Sequence, residues 1–153
     1  MLFRSHFTLR PDAARFELWE ADVAGRLGLK VAIDHLLALG PAEVETAVRA
    51  GAARLRDGLA GVAGVTVRDA GAELGGLVTF TAGGAEPEQV RDALLALGVT
   101  VTVSSAGSTR IDMGSRGLAA VVRASPHYFV SPEQLDQAVA AVAKVTAGIS
   151  AER

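Results

Sequence analysis

The sequence of 153 residues contains no cysteine, which removes disulfides, thiolate nucleophiles and cysteine metal ligands together. Lysine is nearly missing as well. Of the 15 basic residues, only Lys30 and Lys144 carry an amine, so chemistry that needs one has two candidates. Charge of neither sign is in excess. A formal net charge of -2 is too small to draw nucleic acid or a membrane surface. No apolar run approaches the roughly 20 residues that a membrane-spanning helix requires. The opening stretch MLFRSHFTLRP lacks the apolar core of a secretory signal. These absences lead us to expect a soluble, cytoplasmic protein. His6, His35 and His127 are too scattered for a recognisable ligand pattern, so no metal site is expected.

What is present is apolar material in quantity. Half of the residues are hydrophobic and 21% are charged, the balance of one folded domain rather than a disordered chain. Residues 1–11 read as an extended lead-in and 12–39 as a helical segment. Asp12 is the candidate N-cap of that segment, and Phe16, Trp19, Val23, Leu27, Val31 and Leu36 recur at helical spacing. Gly25 and Gly28 weaken its middle, which predicts a bend or two shorter helices.

Residues 41–147 read as an α+β core. A helix from Pro41 to about Leu59 turns Val44, Val48, Leu55 and Leu59 to one side. Strands follow at 64–67 and 76–80. The next helix starts at Pro87, buries Val90, Leu94 and Leu97, and stops at Gly98. Two more strands are predicted at 99–103 and 117–122. SPEQ at 131–134 is a capping box with proline at the first helical position, opening a final helix that faces Leu135, Val139, Val142 and Val145 inward. Arg56-Asp57 before GVTV at 64–67 is echoed by Arg91-Asp92 before GVTV at 98–101. The fold class expected is therefore α+β: a small, mostly antiparallel sheet of about four strands, helices on one face, and a long helical segment in front.

Few segments could carry chemistry. The polar loop at 104–109 looks like an anion cradle, but it has no P-loop lysine and no long helix behind it, so an inter-strand turn is the better reading. No nucleophile elbow is present for a serine hydrolase. The stretch VVRASPHYF at 121–129 places Arg123 at the end of an apolar strand, followed by Ser125, His127 and Tyr128. Arginine presents a rigid fork suited to a carboxylate. A strand-end arginine is also an ordinary surface charge, and the residues alone leave both readings open.

A resemblance then enters. RFE at 15–17 with Trp19 and Glu20, LGL at 27–29, and Leu39-Gly40 are followed in order by GLVTF at 76–80, Gly98-Val99, TRIDM at 109–113, RGL at 116–118, VRASPHY at 122–128 and SPEQLD at 131–136. This ordered set resembles the C-terminal small domain of class V aminotransferases, the pyridoxal-phosphate enzymes that include cysteine-desulfurase-like proteins. The resemblance implies a small sheet with helices on one side. It also implies that Arg123 grips a substrate α-carboxylate, with Ser125, His127 and Tyr128 in supporting places.

It does not extend to everything the family uses. The larger domain, which holds the cofactor and its Schiff-base lysine, has no counterpart in this sequence. Lys30 and Lys144 lie outside the family's lysine motif, the loop at 104–108 offers serines where desulfurases carry a cysteine, and Val130-Ser131 replaces Asn-Thr. Pyridoxal phosphate is thus expected only through a large-domain partner, with no cofactor held by this chain alone and no activity in isolation. An apolar face around Phe3, Phe7, Phe16 and Trp19 is expected to serve that partner or self-association. The alternative is a non-catalytic binding or assembly module that keeps the small-domain fold.

Overall fold

The computed structural model describes residues 8–17 and 20–151 and divides into two compact units, Met1–Leu39 and Gly40–Arg153. In the first unit a single 3-10 turn, Ala13–Phe16, precedes helix α1, Val23–Leu39. The break expected at Gly25 or Gly28 is absent, and α1 runs through both glycines. Asp12 precedes the 3-10 turn but makes no capping bond with its side chain; its carboxylate accepts from Arg10 instead. The cap of α1 is Asp22, whose carboxylate accepts from the Gly25 amide at 2.8 Å. Helix α1 buries no residue within its own unit, and Lys30 pairs with Asp34 one turn away at 2.5 Å. Phe16 is exposed; Phe3, Phe7 and Trp19, the other members of the expected apolar face, lie outside the described residues.

The second unit is the α+β body. Its elements in order are α2 (Pro41–Ala60), β1 (Val65–Val67), β2 (Val78–Ala82), α3 (Pro87–Ala96), β3 (Thr102–Ser105), α4 (Arg110–Ser115), β4 (Ala120–Ala124) and α5 (Pro132–Ala151). The four strands pair antiparallel throughout in the order β1-β2-β4-β3. Among the described residues, no helix is long and apolar enough to cross a membrane.

Alternation along the strands decides which side is covered. On β2, Val78, Phe80 and Ala82 are buried while Thr79 and Thr81 point the other way. The buried set joins Val122 of β4, Ala52, Leu55 and Leu59 of α2, Val90 and Leu94 of α3, and Leu135, Val142 and Val145 of α5 in one core. Burying each of these larger apolar side chains is worth about 1.5–3 kcal/mol. Helices α2, α3 and α5 therefore form one layer on one face, as the apolar periodicity requires. Across their exposed surface Arg54 of α2 clamps Asp136 of α5 with two bonds of 2.8 and 2.6 Å. That guanidinium holds the Asp136 carboxyl below its ordinary range, chiefly through the hydrogen bond.

The sequence echo has a structural counterpart. Helix α2 leads through Gly64 (φ 78) into β1, and α3 leads through Gly98 (φ 79) into β3; β1 and β3 are the two edges of the sheet. The second copy starts its ladder later than expected. The Val99 amide bonds back to the Leu94 carbonyl at 2.9 Å, so the chain beyond Gly98 first closes α3, and strand pairing begins only at Thr102. Val99 and Val101 still pack on the core. Leu97, expected inside, is 41% exposed because it caps the helix instead of continuing its stripe.

Two further shifts matter for the site. The strand expected at 76–80 starts at Val78, because the Gly75 and Leu77 carbonyls are taken by Arg56. The strand expected at 117–122 is Ala120–Ala124, since residues 114–118 close α4. The capping box at Ser131 forms as read: its amide donates to Gln134 Oε1 at 2.8 Å and its hydroxyl accepts from the Gln134 amide at 3.3 Å. Glu86 and Gln89 make a second box at α3.

Candidate functional site

The shift of β4 changes the setting of Arg123. It is an interior residue of a strand that has neighbours on both sides: Thr79 of β2 is its partner on one side and Thr102 of β3 on the other. Val122, next to it, is fully buried under the helix layer, so Arg123 projects from the opposite face. Strand register brings Thr66, Thr81, Val121 and Ser104 to that face in the adjoining row. The face is thus lined by hydroxyls and one central guanidinium. Val121 and Met113 are buried but stand outside the main core.

Arg123 meets no carboxylate among the described residues, and its Nε is buried without a hydrogen-bond partner. A buried donor left unmade costs about 1–3 kcal/mol, and more when it is charged. An anion accepting from that Nε would remove the cost. A planar guanidinium with a free inward edge is suited to hold a carboxylate through two parallel bonds.

A second cluster holds Thr79, the strand partner of Arg123, in place. Asp69, just past β1, accepts from the Thr79 amide at 2.7 Å and from its hydroxyl at 2.6 Å. The other oxygen of Asp69 accepts from Arg56 Nε of α2 at 2.6 Å. Arg56 also donates to the carbonyls of Gly75 and Leu77 at 2.6 and 2.7 Å. The pair is nearly enclosed, at 12% and 8% side-chain exposure, and every strong group in it is matched. It fastens the β1–β2 connection to α2 and sets the start of β2 beside Arg123. Nothing in the local sequence pattern marks an arginine 13 positions earlier as the partner of Asp69.

The other residues singled out in the sequence take separate places. Ser125 borders an apolar cleft of about 400 Å³ on the helix side, between the end of α3 and α5. His127, Tyr128 and Phe129 form a small aromatic group, with His127 4.8 Å edge-on to Tyr128 and 5.2 Å stacked on Phe129. No hydrogen bond joins Ser125, His127 or Tyr128 to Arg123. The loop at 104–109 turns directly into the six-residue α4, with Thr109 making no side-chain cap. Among the described residues no group of three histidine or acidic side chains is placed to hold a metal.

Nor do the lysines gather at Arg123. The unit that carries Arg123 has one lysine, Lys144, exposed on α5 in the helix layer and so on the other side of the sheet. Beside Arg123 that unit offers no lysine for a Schiff base.

Comparison with known proteins gives a consistent answer. The model of the aminotransferase class-V family matches residues 3–138. A probable hercynylcysteine sulfoxide lyase of Mycobacterium tuberculosis (strain CDC 1551 / Oshkosh) is 37% identical over 139 residues, covering 88% of this chain and 33% of that protein. Among solved structures, the cysteine desulfurase CsdA from Escherichia coli superimposes with a TM-score of 0.79 at 21% identity, over 95% of this chain and 36% of that one. The apo cysteine desulfurase from Thermococcus onnurineus NA1 gives 0.81 at 22% identity, over 93% and 36%. The last two likenesses speak for the fold. The chain spans about a third of the length of each of these relatives.

Proposed function

We propose, because this chain belongs to the class V aminotransferase family, that it acts as the small-domain half of a pyridoxal-phosphate enzyme acting on an amino acid. Arg123 binds the substrate α-carboxylate. A large domain, on another polypeptide or on the remainder of a longer one, supplies the cofactor and its lysine. The single observation behind the role of Arg123 is its buried, unpartnered Nε on the face opposite the helix layer. Pyridoxal phosphate serves such enzymes as an electron sink. No step through it is assigned to the residues of this chain, which offer binding and orientation.

In this reading the sheet is the reference frame. Arg123 fixes the carboxylate, the ladders on both sides fix Arg123, and the Arg56–Asp69 pair fixes the neighbouring strand. Helix α1, apolar except for Arg26, Lys30, Asp34 and His35, is the element that a large domain would cover.

The test is titration of the chain with small carboxylates and amino acids, followed through the arginine Nε–Hε signals by NMR. Arg123→Lys is expected to weaken carboxylate binding by about 1–3 kcal/mol, because the two-pronged pair is lost. Unchanged affinity removes Arg123 from the site. Incubation with equimolar pyridoxal phosphate and borohydride is expected to label the exposed Lys30 and Lys144 no more than free lysine under the same conditions. Saturable, stoichiometric labelling of either would overturn the division of labour.

A further inference from the structure

We infer that Arg68 is a second anion-binding residue on the same face, so that the site prefers a ligand with two anionic groups to one with a single carboxylate. The inference rests on the reading of Arg123 as a carboxylate ligand and adds a substrate class to it.

Arg68 directly follows β1, and its amide donates to the Thr79 carbonyl at 2.7 Å, which extends the β1–β2 pairing by one residue. Thr79 is in turn the partner of Arg123, and Arg123 of Thr102. One row across the sheet therefore reads Arg68, Thr79, Arg123, Thr102, and residues in one row share a face. With strands about 4.8 Å apart, the two arginines stand roughly 9–10 Å apart at their Cα atoms, with only a threonine between them.

Charge bookkeeping singles out this pair. Arg56 is neutralised by Asp69 at 2.6 Å, and Arg116 by Asp112 at 3.0 Å. Arg68 donates through Nε to the neutral hydroxyl of Thr81 at 2.9 Å and meets no carboxylate among the described residues. Arg123 meets none either. A polar cleft of about 200 Å³ opens beside Arg68, bordered also by Thr79 and Arg116 but not by Arg123 itself. Two acids also border it. Asp69 is committed to Arg56, and Glu73 is 85% exposed and leans 3.9 Å from Arg49. Thr79 belongs to both the cleft and the row, so an anion in the cleft sits one strand from Arg123. Two uncompensated guanidiniums at that spacing suit a short chain with an anionic group at each end.

The probes are acetate, succinate and glutarate at matched ionic strength, read at the Arg123 Nε–Hε signal of the full chain. A dicarboxylate is expected to bind about tenfold more tightly than acetate, the gain of one added charge-assisted contact. Arg68→Gln is expected to bring succinate and glutarate down to the affinity of acetate; Arg68→Lys, which keeps the charge, retains part of the preference and guards against a folding defect. Equal affinity of acetate and both dicarboxylates for the unaltered chain overturns the inference, and so does a preference that survives Arg68→Gln. Arg123→Gln separates the two levels. If acetate binding survives that change, the reading of Arg123 itself fails; if acetate binding is lost but Arg68→Gln has no effect, only the role of Arg68 fails.

Discussion

Along β2, Val78, Phe80 and Ala82 vanish beneath α2, α3 and α5, while Thr79 and Thr81 between them point to the other side of the sheet. The same backbone thus serves two surfaces that differ in what they satisfy. On the helix side the core residues are enclosed by apolar neighbours and none of them is polar. On the other side stand hydroxyls and two guanidiniums that no carboxylate meets among the described residues, with the Arg56–Asp69 pair at the border between the two surfaces. One face is given over to stability; the other, in the proposed reading, serves recognition. The comparison teaches that the site is to be sought where the packing is incomplete, one residue out of phase with the core.

The comparison breaks most severely at Phe80. Phe80→Ala is expected to lower the unfolding free energy by about 4 kcal/mol in urea titration, through lost burial and the cavity left behind. Thr66→Ala, on the other face, is expected to change it by less than about 0.5 kcal/mol. Similar losses at both positions would show that the second face is also core.

Asp69→Ala sharpens the contrast at the place where the recognition face borrows stability. It leaves Arg56 enclosed with two carbonyls but no counter-charge, and a loss of about 3 kcal/mol is expected. The Arg123 Nε–Hε signal should move with it, because Thr79 is released. A stability loss with an unmoved Arg123 signal would confine the ion pair to a purely structural role.

The smallest effect lies on the outer surface of the helix layer. With its pKa depressed in the folded state by Arg54, Asp136 contributes stability above the ordinary carboxylate range and loses it as pH falls through the lowered value. The difference in stability between the chain and Asp136→Asn is therefore expected to be present at neutral pH and to vanish in acid. A difference that grows on acidification would reverse the assignment. Both side chains are exposed, so the effect is slight.

Much of the fold was readable in the order of residues. The apolar stripes of α2, α3 and α5, the prolines that open them and the capping box at Ser131 are local signals, and local signals survive folding. Strand limits were displaced by partners from elsewhere. Arg56 withholds the carbonyls of Gly75 and Leu77 from β2, and the closure of α3 by Val99 delays β3. The start of α1 followed the capping carboxylate of Asp22, and the two glycines inside the helix lower its propensity without breaking it. At the site, Arg123 stood out by its motif. Its companion Arg68 and the Asp69 pair did not, since their significance arises from register across three strands, which no linear spacing records.

Arg123 lies on a strand with ladders on both sides, whereas β1 and β3 are three- and four-residue edges. Edges open by local fraying, but the amide of a central residue exchanges with solvent only when the sheet itself comes apart. The backbone at Val122, paired with Phe80 between the two central strands, should therefore rank among the slowest to exchange hydrogen for deuterium among the described residues, and Arg123 is carried directly beside it. If Arg123 binds a carboxylate as proposed, a residue mounted so firmly does not reach for its ligand. Whatever motion brings carboxylate and guanidinium together has to belong to the ligand, or to the unit travelling as one body.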